Sequence, residues 1–158
     1  MNSYALLLLM PTFLATGCGP LLVRPACERN PVLVAAVDWS AVDLVKIRIT
    51  REGFAPHQVE LRRNQPDILR IANVGDRPRV FNAPKFFPAA VLGNITLDDR
   101  VIAALCPDAI DIPPHSILDI GVVPLQNGRF PFGDRDIPAK SWGSGIAVMY
   151  VEGVLIVK

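Results

Sequence analysis

Val45-Lys46-Ile47-Arg48-Ile49-Thr50 alternates branched apolar side chains with polar ones without a break. A period of two puts Val45, Ile47 and Ile49 on one side of an extended chain and the cations on the other, which is the pattern of a half-buried β-strand. Downstream, Gly53 to His57 reads as a turn. Val59 and Leu61 then alternate with Glu60 and Arg62, and Arg63-Asn64-Gln65-Pro66 turns again. Ile68 to Val74 is a further strand, closed by Asn73-Val74-Gly75-Asp76. Short strands with turns at this spacing predict an all-β sandwich.

The same signals continue toward the C-terminus. Ile117 to Val123 alternates, Gln126-Asn127-Gly128 turns, and Arg129 to Phe132 is a short strand. Ile146 to Val157 supplies the last strands, bent at Glu152-Gly153. The stretch from Arg79 to about Pro114 is the least regular. Within it, Thr96-Leu97-Asp98-Asp99 ahead of Val101 to Leu105 predicts a short helix capped by Thr96 or Asp98. Before the first clear strand, Pro31 to Asp43 is apolar and reads as a strand pair or a short helix. Gly19 to Asn30 reads as a linker.

Composition sets the outer bounds. The 158 residues are 51% hydrophobic and 20% charged, enough apolar material for one core. Pro 15 and Gly 11 interrupt the chain too often for long helices. A formal charge of +1 argues against the clustered basic surface that nucleic-acid binding requires, so no nucleic-acid partner is expected. From Gly19 onward no run reaches the roughly 18 apolar residues of a spanning helix.

Residues 1–17 read as an export signal. Met1 to Gly17 carries no charged side chain, Tyr4 to Met10 is almost wholly apolar, and Leu14-Ala15-Thr16-Gly17 precedes Cys18. The small residues before Cys18 resemble the bacterial lipobox, which implies cleavage before Cys18 and lipid on its thiol. The pattern departs from the usual one at Ala15, where a leucine is common, and in lacking Lys or Arg near the start. An ordinary signal peptide, or a retained apolar anchor with Cys18 a plain thiol, is the other reading. Export permits disulfides. Cys27 and Cys106 are then left as an even pair. A bridge between them would close about 80 residues and stabilise by up to about 4 kcal/mol; two buried free thiols are the alternative.

Taken in order, these pieces resemble the cupredoxins. Val45 to Thr50, Gly53-Phe54-Ala55-Pro56 and Val59-Glu60-Leu61 are similar to that family's first strand, its Gly-Phe-x-Pro corner and its second strand. Leu69-Arg70-Ile71-Ala72-Asn73-Val74-Gly75 resembles the third strand and its asparagine turn. Arg129-Phe130-Pro131-Phe132, Asp136-Ile137-Pro138 and Gly153-Val154-Leu155-Ile156-Val157 resemble the ligand-loop region and the closing strand. The resemblance implies a cupredoxin-like Greek-key β-sandwich over 44–158, with a longer irregular middle insertion at 85–111 and one short helix. Residues 18–43 form an anchor cysteine, linker and N-terminal extension.

The resemblance also implies where copper would sit. Type I sites use two His and a Cys thiolate with a weak axial Met. The first His position falls on Arg79, the Cys on Arg135, the second His on Lys140 and the axial Met on Val151, with Met149 nearby. Guanidinium and ammonium groups offer no lone pair, so every ligand is lost and no metal or other cofactor is expected apart from lipid on Cys18. His57 and His115, the only histidines, fall in turns.

Three functional readings compete. The first is a copper-free accessory or binding subunit, anchored in a bacterial envelope, facing the periplasm and docked on a membrane complex, with electron-transfer complexes as candidates by analogy of fold. The second is a copper-handling or electron-transfer protein with unusual ligands such as His57, His115, Met149 or Cys106. The third is a small-anion binding protein using Arg79, Arg135 and Lys140. Those three cations are equally a docking patch or ordinary surface charges paired with Asp76, Asp134 or Asp136. Trp142, Phe86, Phe87, Phe130 and Phe132 form either an exposed contact patch beside them or a cap on the core. Catalysis is not expected: Ser116 beside His115 and Gly143-Ser144-Gly145 match no nucleophile or phosphate-loop pattern, and Asp98-Asp99 reads as capping.

Overall fold

The computed structural model describes residues 31–102, 107–134 and 150–158. It is the all-β sandwich expected of the sequence. Among the described residues eleven strands run in chain order: β1 (Leu44–Thr50), β2 (Gly53–Ala55), β3 (Gln58–Leu61), β4 (Asp67–Asn73), β5 (Arg79–Asn82), β6 (Ala90–Leu97), β7 (Arg100–Val101), β8 (Ala109–Ile112), β9 (Ile117–Pro124), β10 (Gly128–Asp134) and β11 (Tyr150–Val157). One sheet, called A, has the order β2-β1-β4-β9-β6-β7, and the other, B, has the order β3-β11-β10-β5-β8. The chain changes sheet at most of its connections, in the Greek-key manner.

Alternation produced the expected inner faces. Ile47 and Ile49 of β1 are buried and Lys46 and Arg48 exposed. β1 pairs in parallel with β4, which places Ile47 beside Ile71. In the other sheet β3 pairs in parallel with β11, placing Val59 beside Leu155 and Leu61 beside Val157. The aliphatic residues of the two inner faces meet in one continuous core with Phe54, Phe81, Phe86, Phe87 and Phe132.

Several local expectations change. Gly53 to Ala55 is not a turn: it is β2, the return arm of a hairpin in which Arg48 lies opposite Ala55 and Thr50 opposite Gly53. The turn is confined to Arg51 and Glu52. Gly53 sits at φ +123°, where a side chain would be strained. Thr96 to Val101 is not the start of a helix. Asp98 and Asp99 have φ of 48° and 63°, the doubly left-handed pair of a two-residue hairpin joining β6 to β7. Asp98 Oδ1 accepts a 2.8 Å bond from the Ile117 amide, and that bond, followed by one from Ser116, holds its carboxyl below the usual range.

The middle of the chain is also far from irregular. It supplies β5, β6, β7 and β8, and β6 is an interior strand paired with β9. Its sequence hides this because Val91 and Leu92 are both buried, so clean alternation is lost. The register also shifts between Leu92 and Ile95. The bend expected at Glu152-Gly153 is a bulge: Phe132 lies opposite Gly153 and Gly133 opposite Val151, which leaves Glu152 as the extra residue. Ile146 to Met149 lie outside the described residues.

Of the two readings for Pro31 to Asp43, the helical one holds. α1 (Pro31–Ala36) is followed by a 3-10 turn at Trp39–Ala41, where the Asp38 side chain accepts from the Ser40 amide. No helix among the described residues is long and apolar enough to cross a membrane.

Asp67 opens β4 in a buried position. Burial first, and the Asp43 carboxylate second, push its carboxyl above the usual range, with Arg62 pulling the other way. A carboxyl raised in the fold favours folding while it is protonated. That contribution is complete below its ordinary value of 3.8 and is lost as pH rises through the raised value. Asp67→Asn should therefore raise the urea midpoint at neutral pH and leave it little changed near about pH 3. Equal midpoints at neutral pH would show that the carboxylate is well solvated in the fold.

Candidate functional site

The ends of β1, β4 and β10 meet the start of β5 and the bulge of β11 at one end of the sandwich. A cleft of about 940 Å³ opens there, with Thr50, Gly53, Asn73, Arg77, Arg79 and Glu152 among its walls. Arg79, on that wall, is the first residue of β5, and its neighbours Val80 and Phe81 are buried.

Each of its three guanidinium nitrogens has a partner. Nε donates to Asp134 Oδ2, Nη1 donates to the Thr50 carbonyl at 3.0 Å, and Nη2 lies 3.5 Å from Glu152 Oε2. The side chains of Arg79 and Asp134 are 16% and 1% exposed, so the pair is largely withdrawn from water and only weakly screened. Asp134 Oδ1 accepts from the Val80 amide at 3.3 Å, and Glu152 Oε2 accepts from the Phe54 amide at 3.2 Å. The Arg79 Cζ also sits 5.9 Å from the centre of the Phe54 ring, a cation–π distance. Thr50 and Phe54 belong to sheet A, and Val80, Asp134 and Glu152 to sheet B. One cation and two carboxylates thus tie the two sheets together.

Asn73 fixes the adjoining loop. Its Nδ2 donates to the carbonyls of Arg77 at 2.8 Å, Ile112 at 3.1 Å and Pro113 at 3.0 Å, while Oδ1 accepts from the Gly75 amide at 3.1 Å. Buried amides of this kind stabilise only when their partners are present.

The remaining expected positions divide. Val151 is 61% exposed, beside the bulge. His57 is exposed, with Nδ1 2.8 Å from the Glu152 carbonyl. His115 takes a left-handed φ of 59°, and its Nε2 is 3.1 Å from Asp76 Oδ1 with both side chains open to solvent. Asp76 therefore faces His115 and not Arg79. Cys18, Cys27, Cys106, Arg135, Lys140, Trp142 and Met149 lie outside the described residues.

The described aromatic residues of that set, Phe86, Phe87, Phe130 and Phe132, are part of the core and form no surface patch. Phe86, Phe87 and Phe132 are buried, and Phe130 packs against them half-buried. Phe81 stands at the centre, with ring centroids 6.0 Å from Phe54, 5.5 Å from Phe132 and 6.1 Å from Phe87.

Two members of the ionic network were less visible in sequence than Arg79. Phe130, Phe132 and Asp134 follow a period of two, which carries Asp134 onto the inner face and demands a cation for it. Glu152 had no such signal, because only the bulge turns it toward Arg79.

Copper does not fit these residues. The Arg79 guanidinium has no lone pair, and its neighbours are carboxylates already paired with it. Among the described residues no group of three His, Cys, Asp or Glu side chains is placed to hold a metal ion.

No protein-family model matches the chain, and no curated protein matches it in sequence. Solved structures do match. A copper(I) form of an amicyanin mutant is 11% identical over 79% of this chain and 89% of its own, with a TM-score of 0.40. A purple cupredoxin from Nitrosopumilus maritimus is 11% identical over 72% of this chain and 99% of its own, at a TM-score of 0.40. The multicopper oxidase mgLAC is 12% identical over 72% of this chain and 43% of its own, at 0.49. The likeness is one of fold, the cupredoxin-like sandwich, and reaches no further.

Proposed function

We propose that the chain is a copper-free, cupredoxin-like envelope lipoprotein. It serves as a binding or structural accessory subunit docked on a periplasm-facing membrane complex and anchored by lipid on Cys18. The observation that carries this reading is the engagement of Arg79. The place that the sequence resemblance gives to the first copper histidine holds a guanidinium bonded to Asp134, Glu152 and the Thr50 carbonyl. A cation bound this way does in the fold what a metal cross-link would do, joining strands of both sheets, without redox chemistry. A rigid sandwich with no electron to transfer is suited to presenting a surface to a partner.

Protein isolated from the envelope and offered Cu(II) should hold well below one copper per chain and show no thiolate-to-copper band in the visible spectrum. Extraction in mild detergent should then recover it together with a membrane complex. A stoichiometric, coloured copper site would overturn the accessory reading and restore electron transfer or copper handling.

A further inference from the structure

The segment before β1 lies across the outer face of sheet A. Trp39 is laid over Gly93 of β6 and Gly121 of the neighbouring β9, so closely that a Cβ would come within 2.6 Å of the ring at Gly93 and 2.8 Å at Gly121. At both positions the three nearest atoms all belong to that ring. Neither glycine has a left-handed φ, so the backbone itself does not require them. A glycine inside a strand weakens it and marks a place where something approaches closely; here that something is one indole. Val91 and Val123 lie two residues away along the same strands. They are cross-strand partners outside the main core cluster, yet only 2% and 4% exposed. A cover on the outer side accounts for that, and α1 packs against β6 there.

The hold on this segment is narrow. None of residues 32–42 is buried. α1 has six residues, too short to persist alone. Trp39 Nε1 donates to the Val34 carbonyl at 3.0 Å, the Ser40 amide to Asp38 Oδ1 at 3.1 Å and the Ala41 amide to the Asp38 carbonyl at 3.1 Å, so these bonds stay within the segment. The sheet beneath is tied by its own ladders, β6 to β9 and β9 to β4. Lifting the segment therefore removes no rung of either. Asp43, whose carbonyl accepts from the Ile68 amide at 3.0 Å, marks the point where the segment passes into β1. A stretch with so few buried contacts opens at a lower free energy than the ladders under it.

We propose that residues 31–42 are a releasable strap: Trp39 leaves the slot floored by Gly93 and Gly121 as a local event, uncovering the strip of Val91 and Val123 on sheet A while the sandwich stays folded. The strap is then an intramolecular competitor for the surface it covers. Anything that binds the strip reaches only the released fraction, and its apparent affinity is reduced by that fraction. Shape holds the strap here, since two glycines and two valines form the seat. The inference stands apart from the lipid-anchor reading, because it uses only contacts between this segment and sheet A.

The test uses the full chain labelled with fluorotryptophan. Its two tryptophans, Trp39 and Trp142, give two fluorine resonances, assigned with Trp39→Phe. In a urea series the Trp39 resonance should reach its released position before the far-UV circular dichroism of the sheets is lost. One shared transition overturns the proposal. Gly93→Ala should raise the released fraction about tenfold, the effect of overpacking this contact by one methyl group. The folded variant should also bind the apolar dye ANS, which reports the uncovered strip. A Trp39 resonance unmoved by the added methyl would show that the slot does not hold the ring, and the strap would have no seat. Trp39→Ala makes the same test without added volume, should Gly93→Ala fail to fold. Sheets retained, with proteolytic cleavage confined to residues 31–43, is the expected result. Loss of the sheets together with the ring would make the segment an integral layer of the core and overturn its release as a local event.

Discussion

Asp134→Ala should lower the unfolding free energy by about 3–5 kcal/mol, because it strands a largely buried guanidinium. Arg79 would keep Glu152 at 3.5 Å and the Thr50 carbonyl, but it would lose its most buried partner, and the Val80 amide would lose an acceptor. The surface pair offers an internal control. Arg70 and Asp119 are bonded in bidentate fashion at 2.8 and 2.7 Å, but their side chains are 37% and 18% exposed. Asp119→Ala should cost no more than about 1 kcal/mol. Urea unfolding of the two variants side by side gives the comparison. Adding Arg79→Met to Asp134→Ala should recover part of the loss, since the stranded charge then disappears. If Asp134→Ala costs no more than Asp119→Ala, the Arg79 network is not what joins the sheets, and the proposed substitute for a metal cross-link has no energetic basis.

Phe81→Ala should cost a comparable amount, about 3–5 kcal/mol, through lost burial and an unfilled cavity. Phe81 is fully buried and makes ring contacts with Phe54, Phe87 and Phe132. Those neighbours come from β2, the turn before β6, and β10, so a collapse that fills the space would have to move three elements at once. Phe81→Leu should cost distinctly less, since most of the volume is kept. A small loss for the alanine variant, with hydrogen exchange unchanged in β2 and β10, would show that the aromatic cluster is a loose cap and would return those rings to consideration as a contact surface.

Both predictions concern the end of the sandwich that the sequence marked for function. The physical character found there differs from a free basic patch. Arg79 is neutralised by carboxylates within its own fold, and the phenyl rings beside it fill the core. The other charged residues of the cleft wall are Arg51, Glu52, Asp76 and Arg77, and of these the sequence had not singled out Arg51 and Arg77. Both belong to turns whose paths only the folded loops define.

Where one strand face meets the core and the other meets water, the residue order was sufficient. Val45 to Thr50 and Leu69 to Asn73 alternate because inside and outside alternate along an extended chain, and this local rule needs no knowledge of the partner strands. The sandwich, its first strands and the bend at Glu152 were legible for that reason. β6 was not, because Trp39 and α1 cover its outer side, and a strand buried on both faces has no alternation to read. The Asp98-Asp99 hairpin was misread because acidic residues before an apolar run also suit a helix start; the left-handed turn and the acceptor bond to Ile117 distinguish the two. The ionic network lay furthest from the sequence. Arg79 and Asp134 stand 55 positions apart. They meet only because β5 and β10 pair, with Asn82 opposite Gly133, and Glu152 joins them only because a bulge turns it inward. Strand identity is set by neighbours along the chain, whereas a site built across strands is set by register, and register is fixed only when the two sheets close on one another.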